Sequence, residues 1–405
     1  MCGTTLRTHA AWASQAGLHL RGSPARRGFG LRPCHRKVNR LALDGRRVIH
    51  DAPSGAIARE CSMAATTENA RPLDFVCFTL IIDDIVFPDG NTEMALLGGG
   101  GPQTLFGYQL SATRLREHPP KIGLFGGVGA DLPAKVSQWF VEMDIDITGL
   151  YETPHPTPRA WQILEEDGRR TQVWRSEASD TLYGMLRPDL SLLPADYIPA
   201  HAYHVGVNPT NYNLQYLKDV KQLARGARGA DDSDQTSRVG LLSIEPFVHA
   251  EEKLTPEELS NLCSVADVFT PNEYEAFSLV GPGTPLEVID KIVEAGAQGL
   301  VVLRRGPEGS VAHDEATGET WQVPAVPESR VVDPTGCGNS YNGGFLGAWA
   351  GGASLVDAAC WGAVAASFML EVRGVPEPPL REMMEEADRR FQITRAGAKC
   401  LRPAR

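Results

Sequence analysis

No apolar run in this 405-residue chain reaches the roughly 18 residues that a bilayer-spanning helix needs, so no membrane partner is expected. There is also no G-x-x-x-x-G-K-[ST] stretch, which leaves a P-loop nucleotide triphosphatase unsupported. The dinucleotide fingerprint G-x-G-x-x-G is incomplete. Gly127 and Gly129 follow a strand-like run and precede a helical one, but Leu132 stands where the third glycine belongs, and this speaks against a nicotinamide oxidoreductase. The eight cysteines form no C-x-x-C pair and no metal-ligand spacing with the ten histidines, and most of them read as buried thiols of a reducing compartment. His201 and His204 lie three apart, yet two such residues rarely suffice for a metal and the following Val-Gly-Val reads as strand. No internal repeat is present.

Charge is unevenly spread. Residues 1–62 hold eleven Arg or Lys against Asp44, Asp51 and Glu60, a surplus of +8; with the whole chain at −11, the remainder carries −19. A body this acidic repels a phosphate backbone, so nucleic acid is not an expected partner, although one small anion can still be held locally. The basic, acid-poor segment 1–62 has two readings. It resembles a transit peptide, which would send the protein to chloroplast or mitochondrion, or it is a dispensable extension before a start at Met63, which would leave a cytoplasmic protein.

From residue 73, strand-length apolar runs alternate with amphipathic helical segments. Phe75–Val86 and Lys121–Gly127 read as strands, as do later runs at Ala202–Val207, Leu241–Ile244, Val268–Phe269 and Leu300–Leu303. Helices are expected over Leu97–Thr113, Pro133–Met143, Asn213–Leu223 and Pro256–Val265, and again from Tyr341 to Ile393. That alternation predicts an α/β fold: a doubly wound, mostly parallel sheet with helices on both faces. Arg159–Glu166 and Arg169–Arg175 flank Asp167-Gly168, the signature of a hairpin suited to a small β lid. The polar stretch 225–238 reads as a surface loop.

The most informative stretch is VVDPTGCGNSYNGG at 331–344. Gly336, Cys337 and Gly338 would form the first turn of a helix, whose unpaired N–H groups and positive dipole end suit an anion. Packing of that helix start on a strand would use the same residues.

This stretch resembles the C-terminal signature of the pfkB carbohydrate kinase family, ribokinase-like enzymes that move the terminal phosphoryl group of ATP to an alcohol. TPNEYEAF at 270–277 is similar to the family's N-x-x-E element, VVLRRGPEGS at 301–310 to its T-L-G-x-x-G loop, and GGVGAD at 126–131 to its V-G-x-D turn. FTLIIDDIVFPDG at 78–90 further resembles the fungal maintenance-of-killer branch. The resemblance covers residues 73 to about 375. It implies a ribokinase-like domain over 71–395, with a β lid at about 85–97 and 150–176, an extension at 1–70 and a basic tail at 396–405. The exposed lid would offer a surface for a homodimer.

The resemblance also implies roles. Asp84, with Asp83 as the competing register, would bind a hydroxyl of a sugar or nucleoside lined by Gly99, Gly100, Gly101 and Gln103. Asn272, Arg304, Gly306 and Gly309 would hold ATP, and Glu275 would order water around Mg2+. Asp333 and Thr335 would face a monovalent cation such as K+. Gly336, Cys337 and Gly338 would grip the phosphate beside Asn339. Three positions depart from the pattern: Asn339 replaces the catalytic aspartate, Gln103 an asparagine, and Arg304-Arg305 the usual Thr-Leu. An amide can orient a hydroxyl but cannot keep its proton. Two functions are therefore expected: an ATP-dependent phosphotransferase of reduced activity, or a sugar- or nucleotide-binding protein without turnover.

Overall fold

The run Phe75–Phe78 is buried at every residue, which requires a layer of structure on each face of its sheet. A computed structural model describes residues 71–166, 170–175, 180–228, 238–327 and 329–405. The basic segment 1–62 lies outside the described residues, as do Asp167 and Gly168 of the expected turn and most of the 225–238 loop.

The chain opens with β1 (Phe75–Phe78), β2 (Ile81–Val86) and β3 (Thr92–Gly98), then α1 (Gly100–Leu115), β4 (Ile122–Val128) and α2 (Ala134–Glu142). Short strands β5 (Ile145–Asp146) and β6 (Leu150–Glu152) lead into β7 (Arg159–Leu164), β8 (Arg170–Trp174) and α3 (Asp180–Leu186). Next come β9 (Ala202–Val207), α4 (Leu214–Arg225), β10 (Leu241–Pro246), α5 (Pro256–Val265) and β11 (Val268–Phe269). Then follow α6 (Glu273–Val280), α7 (Pro285–Glu294), β12 (Leu300–Arg304), β13 (Ser310–Asp314) and β14 (Thr320–Val323). The chain closes with α8 (Cys337–Ala350), α9 (Leu355–Leu370), α10 (Met384–Gly397) and β15 (Lys399–Arg402).

The main sheet runs β15-β14-β13-β12-β11-β10-β9-β1-β4-β5, with β6 also on β4. Every neighbouring pair from β5 to β12 is parallel, while β12 to β15 pair antiparallel. Alternate residues feed two cores. Phe75, Cys77, Leu300 and Val302 join α1, α2, α8 and α9 on one face, and Val76, Phe78, Val301 and Leu303 join α4 to α7 on the other. The doubly wound expectation holds.

Three local expectations change. The run Phe75–Val86 is two strands, because the backbone turns at Thr79 (φ 76°) and leaves the main sheet for a second one. That lid sheet has the order β3-β2-β7-β8, so residues 150–152, expected within it, pair with β4 instead. Part of the basic tail expected at 396–405 is β15, antiparallel to β14 at the sheet edge.

Helices α1 and α8 run side by side in the same direction, and glycine permits their close approach. A Cβ at Gly343 would overlap the Thr104 carbonyl oxygen, and one at Gly107 would overlap that of Ser340. Neither obstacle is a flexible side chain that could swing away. Gly343→Ala is expected to destabilise the fold by about 3 kcal/mol or more through overpacking. Gly184→Ala, with open space around its Cβ inside α3, is expected to be neutral or stabilising by up to about 1 kcal/mol. Urea unfolding of the two variants beside the native protein checks this contrast.

Candidate active site

Parallel packing of α1 and α8 puts two helix starts together beyond the carboxyl edge of the sheet. α1 begins after Gly99 (φ 85°) and α8 after Gly336 (φ 84°), both in backbone conformations open to glycine. Gln103 lies so close to Gly336 that a Cβ there would overlap its amide. Asn339 Nδ2 donates to Gln103 Oε1 at 2.7 Å, and Asn339 Oδ1 would lie 3.7 Å from a Cβ at Gly100. The two amides that depart from the family pattern are thus bonded to each other.

The start of α8 carries no side-chain cap and no acidic residue in its first turn, and Gly336–Asn339 are half-buried. Helices α5, α6 and α7 are closed by reciprocal capping boxes. At α8 the N–H groups are left for an anion. Cys337 in this turn is no nucleophile, because burial pushes its thiol up to about 12.

Only part of the expected substrate contact set gathers here. Of the glycines, Gly100 is turned toward Asn339. Gly99 and Gly101 are glycine for packing: a Cβ at Gly99 would sit 2.7 Å from Ile81 N, and one at Gly101 would overlap Leu124. Asp84 is corrected outright. It is fully buried in the lid, where Oδ1 accepts from Ala95 N–H (2.8 Å) and Arg159 Nη2 (2.7 Å). Its Oδ2 accepts from Arg159 Nε (2.7 Å) and from Arg175. Burial would raise this carboxyl, but those hydrogen bonds outweigh it and hold the group below its usual range. With four donors in place it has no capacity for a sugar. Its neighbour Asp83 points the other way along the strand, accepts from Gln162 Nε2 (2.8 Å), and rests against Gly98 beside the start of α1.

The N-x-x-E element is a capping box of α6. Asn272 Oδ1 accepts from Glu275 N–H (2.9 Å), while Glu275 accepts from Asn272 N–H (2.7 Å) and Nδ2 (2.6 Å). Arg304, at the end of β12, joins it. Its Nε donates to the Thr270 carbonyl (3.1 Å), and Nη2 lies 2.7 Å from Glu245 Oε1 and 3.4 Å from Glu275 Oε2. His204 extends the network, with Nε2 3.4 Å from Glu245 and Nδ1 2.9 Å from Ser243, a structural role as expected. Burial pushes Glu275 up to about 7, with the Glu245 charge adding and Arg304 opposing. For Glu245 burial also raises, but the adjacent Arg304 charge wins and the carboxyl is lowered. Glu245 went unread in the sequence; its signal was a lone acid closing the apolar run LLSIEP.

In the loop after β12, Arg305 N–H donates to the Gly309 carbonyl (2.8 Å). A Cβ at Gly309 would overlap the Val323 carbonyl, whereas Gly306 has nothing within 4 Å and is open to a ligand. Asp333 is buried; Oδ1 accepts from Thr335 N–H (2.8 Å), and both Asp333 Oδ2 and Thr335 Oγ1 are buried without a partner. Orphaned oxygens in this number fit a cation. Glu275 fits one poorly, because its charge already faces the Arg304 guanidinium, with Nη2 3.4 Å from Oε2, while both its oxygens also accept from Asn272. No group of three or more His, Cys, Asp or Glu that could hold a metal occurs among the described residues.

A mostly parallel α/β sheet with an anion-ready helix start at its carboxyl edge and a four-stranded lid defines a ribokinase-like protein. The profile of the pfkB family carbohydrate kinases matches residues 112–382, more than half of the chain, and the chain belongs to that family. It is 26% identical over 277 residues to a cytidine kinase of Thermococcus kodakarensis, covering 68% of this chain and 87% of that one. Its fold is similar to a putative ribokinase II of E. coli in complex with ATP and Mg2+, with TM-score 0.59, 16% identity and 79% and 100% coverage. It is also similar to Arabidopsis thaliana ribokinase complexed with ribose and ATP, with TM-score 0.55, 20% identity and 79% and 99% coverage.

Arg304→Met would leave Glu245 and Glu275 buried without their cation, and an expected loss of about 3–5 kcal/mol follows from breaking such a pair on one side. The loss should shrink as the pH falls through about 7, where Glu275 takes up a proton. Chemical denaturation at two pH values measures both.

Proposed function

We propose that this protein transfers the terminal phosphoryl group of ATP to an alcohol of a nucleoside or sugar, and does so slowly. The observation that carries this reading is the uncapped start of α8 beside Asn339 Oδ1, which faces Gly100. Phosphate oxygens would take the free N–H groups of Gly338 and Asn339, while the acceptor hydroxyl donates to Asn339 Oδ1. Kinship with a cytidine kinase and likeness to ATP-bound ribokinase-like folds support a nucleoside or sugar as acceptor.

Asn339 holds the alcohol but cannot become the owner of its proton. Loss of a general base typically costs about 10²–10⁴ in rate. Much of the catalysis in phosphoryl transfer comes from alignment and charge, which the helix start still supplies. Nδ2 of Asn339, tied to Gln103, keeps Oδ1 turned to the acceptor. A monovalent cation held by Asp333 and Thr335 would neutralise buried charge at the foot of α8. A second reading, nucleotide or sugar binding without turnover, is favoured by the same asparagine.

The chain with ATP, Mg2+ and a panel of nucleosides and sugars is expected to yield phosphorylated product by mass spectrometry, and Asn339→Asp to raise the rate by about 10²–10⁴. Product from the variant alone would leave the binding role; no ATP binding by either would sink both readings. Exchange of K+ for tetramethylammonium is expected to slow the native protein, and Asp333→Ala to erase that difference.

A further inference from the structure

Arg304 stands where the family pattern has threonine, and its side chain does not stay in the loop that follows β12. It runs inward instead, 8% exposed, and three contacts fix the plane of its guanidinium: Nε on the Thr270 carbonyl, and Nη2 on Glu245 and Glu275. The fourth corner is different. Nη1 makes no hydrogen bond among the described residues, and it presses on Gly338, where a Cβ would overlap it. Gly338 is the second residue of α8, the helix without a side-chain cap. A permanently charged donor, nine-tenths buried, therefore lies against the first turn of the helix whose N–H groups are free.

The cation expected at this point from the family is Mg2+, with its water ordered by Glu275. Here Glu275 caps α6 through both oxygens and already faces a positive charge. The disagreement lies in the residues themselves: where the pattern has a threonine hydroxyl, this chain has a guanidinium paired with Glu245 and Glu275.

We propose that Arg304 is the resident cation of the phosphate cradle, contacting the terminal phosphate of the nucleotide through Nη1 and relieving nucleotide binding of strict dependence on a divalent metal. The inference rests on the phosphotransferase reading above. Guanidinium suits the task, because it cannot lose its proton and its planar fork meets phosphate oxygens with fixed geometry. Glu245 and Glu275 hold the opposite edge, so the ligand-facing edge arrives already oriented.

The test is calorimetric titration of the full chain with β,γ-imido-ATP, once in excess Mg2+ and once in EDTA. The native affinity in EDTA is expected to stay within about tenfold of that in Mg2+. Arg304→Thr, which restores the usual family residue, is expected to lose metal-free binding by about a hundredfold or more while keeping most of its binding with Mg2+. Near-ultraviolet circular dichroism checks that this variant is folded. If it is not, Arg304→Lys takes its place: it keeps the charge but loses the fork, and should weaken metal-free binding by about tenfold. A native affinity that collapses about a thousandfold in EDTA would overturn the role of Arg304 and leave the kinase reading standing. So would a folded variant that binds metal-free nucleotide as tightly as the native protein. No binding in either buffer would overturn both.

Discussion

The closeness of α1 to α8 is the constraint on which the site depends. Two helices touching through backbone rather than through side chains can be parallel neighbours only where glycine removes the Cβ atoms between them, as Gly107 and Gly343 do here. One packed contact thereby places two helix N-termini at the same edge of the sheet. Their positive ends add, and the side chains of their first turns, Gln103 and Asn339, come within hydrogen-bond reach. A wider crossing would leave each helix intact and the site absent.

Around that contact the buried charges are arranged unequally. In the lid, Asp84 is satisfied by two arginines and a backbone N–H, and it holds strands β2, β3, β7 and β8 together. Under the start of α8, by contrast, two carboxylates share one guanidinium, and one corner of that guanidinium has no partner among the described residues. The first cluster is closed and structural. The second leaves one guanidinium nitrogen lying against Gly338 at the start of α8.

Much of the fold was legible in the sequence because it is written at short range. The apolar runs marked β4, β9, β10, β11 and β12 to within two residues, and Asp-Gly between two alternating runs announced the pairing of β7 with β8 in the lid. The break at Thr79 was not legible. A twelve-residue apolar run looks the same whether it stays in one sheet or crosses to another, and only the positive φ at Thr79 distinguishes them. The strand at 399–402 was missed because edge pairing with β14 gives its exposed, basic residues a structure that their pattern does not require. In the site, the resemblance gave the hydroxyl-binding role to Asp84 with Asp83 as the competing register, and the structure closes Asp84 into the lid network. Adjacent strand residues face opposite ways, so a slip of one position exchanges one face of the lid sheet for the other.

By itself, then, the sequence determined the class of fold, the glycine-opened helix start and an asparagine at 339 where the family pattern has aspartate. All of these depend on residues near one another along the chain. The tertiary structure decided that Asn339 bonds to Gln103, 236 positions away, that Arg304 turns inward to Glu245 and Glu275, and that the N-x-x-E element closes on itself as a cap. Such pairings are set by which strand ends lie side by side in the sheet and by how closely two helices pack. No local pattern encodes either distance.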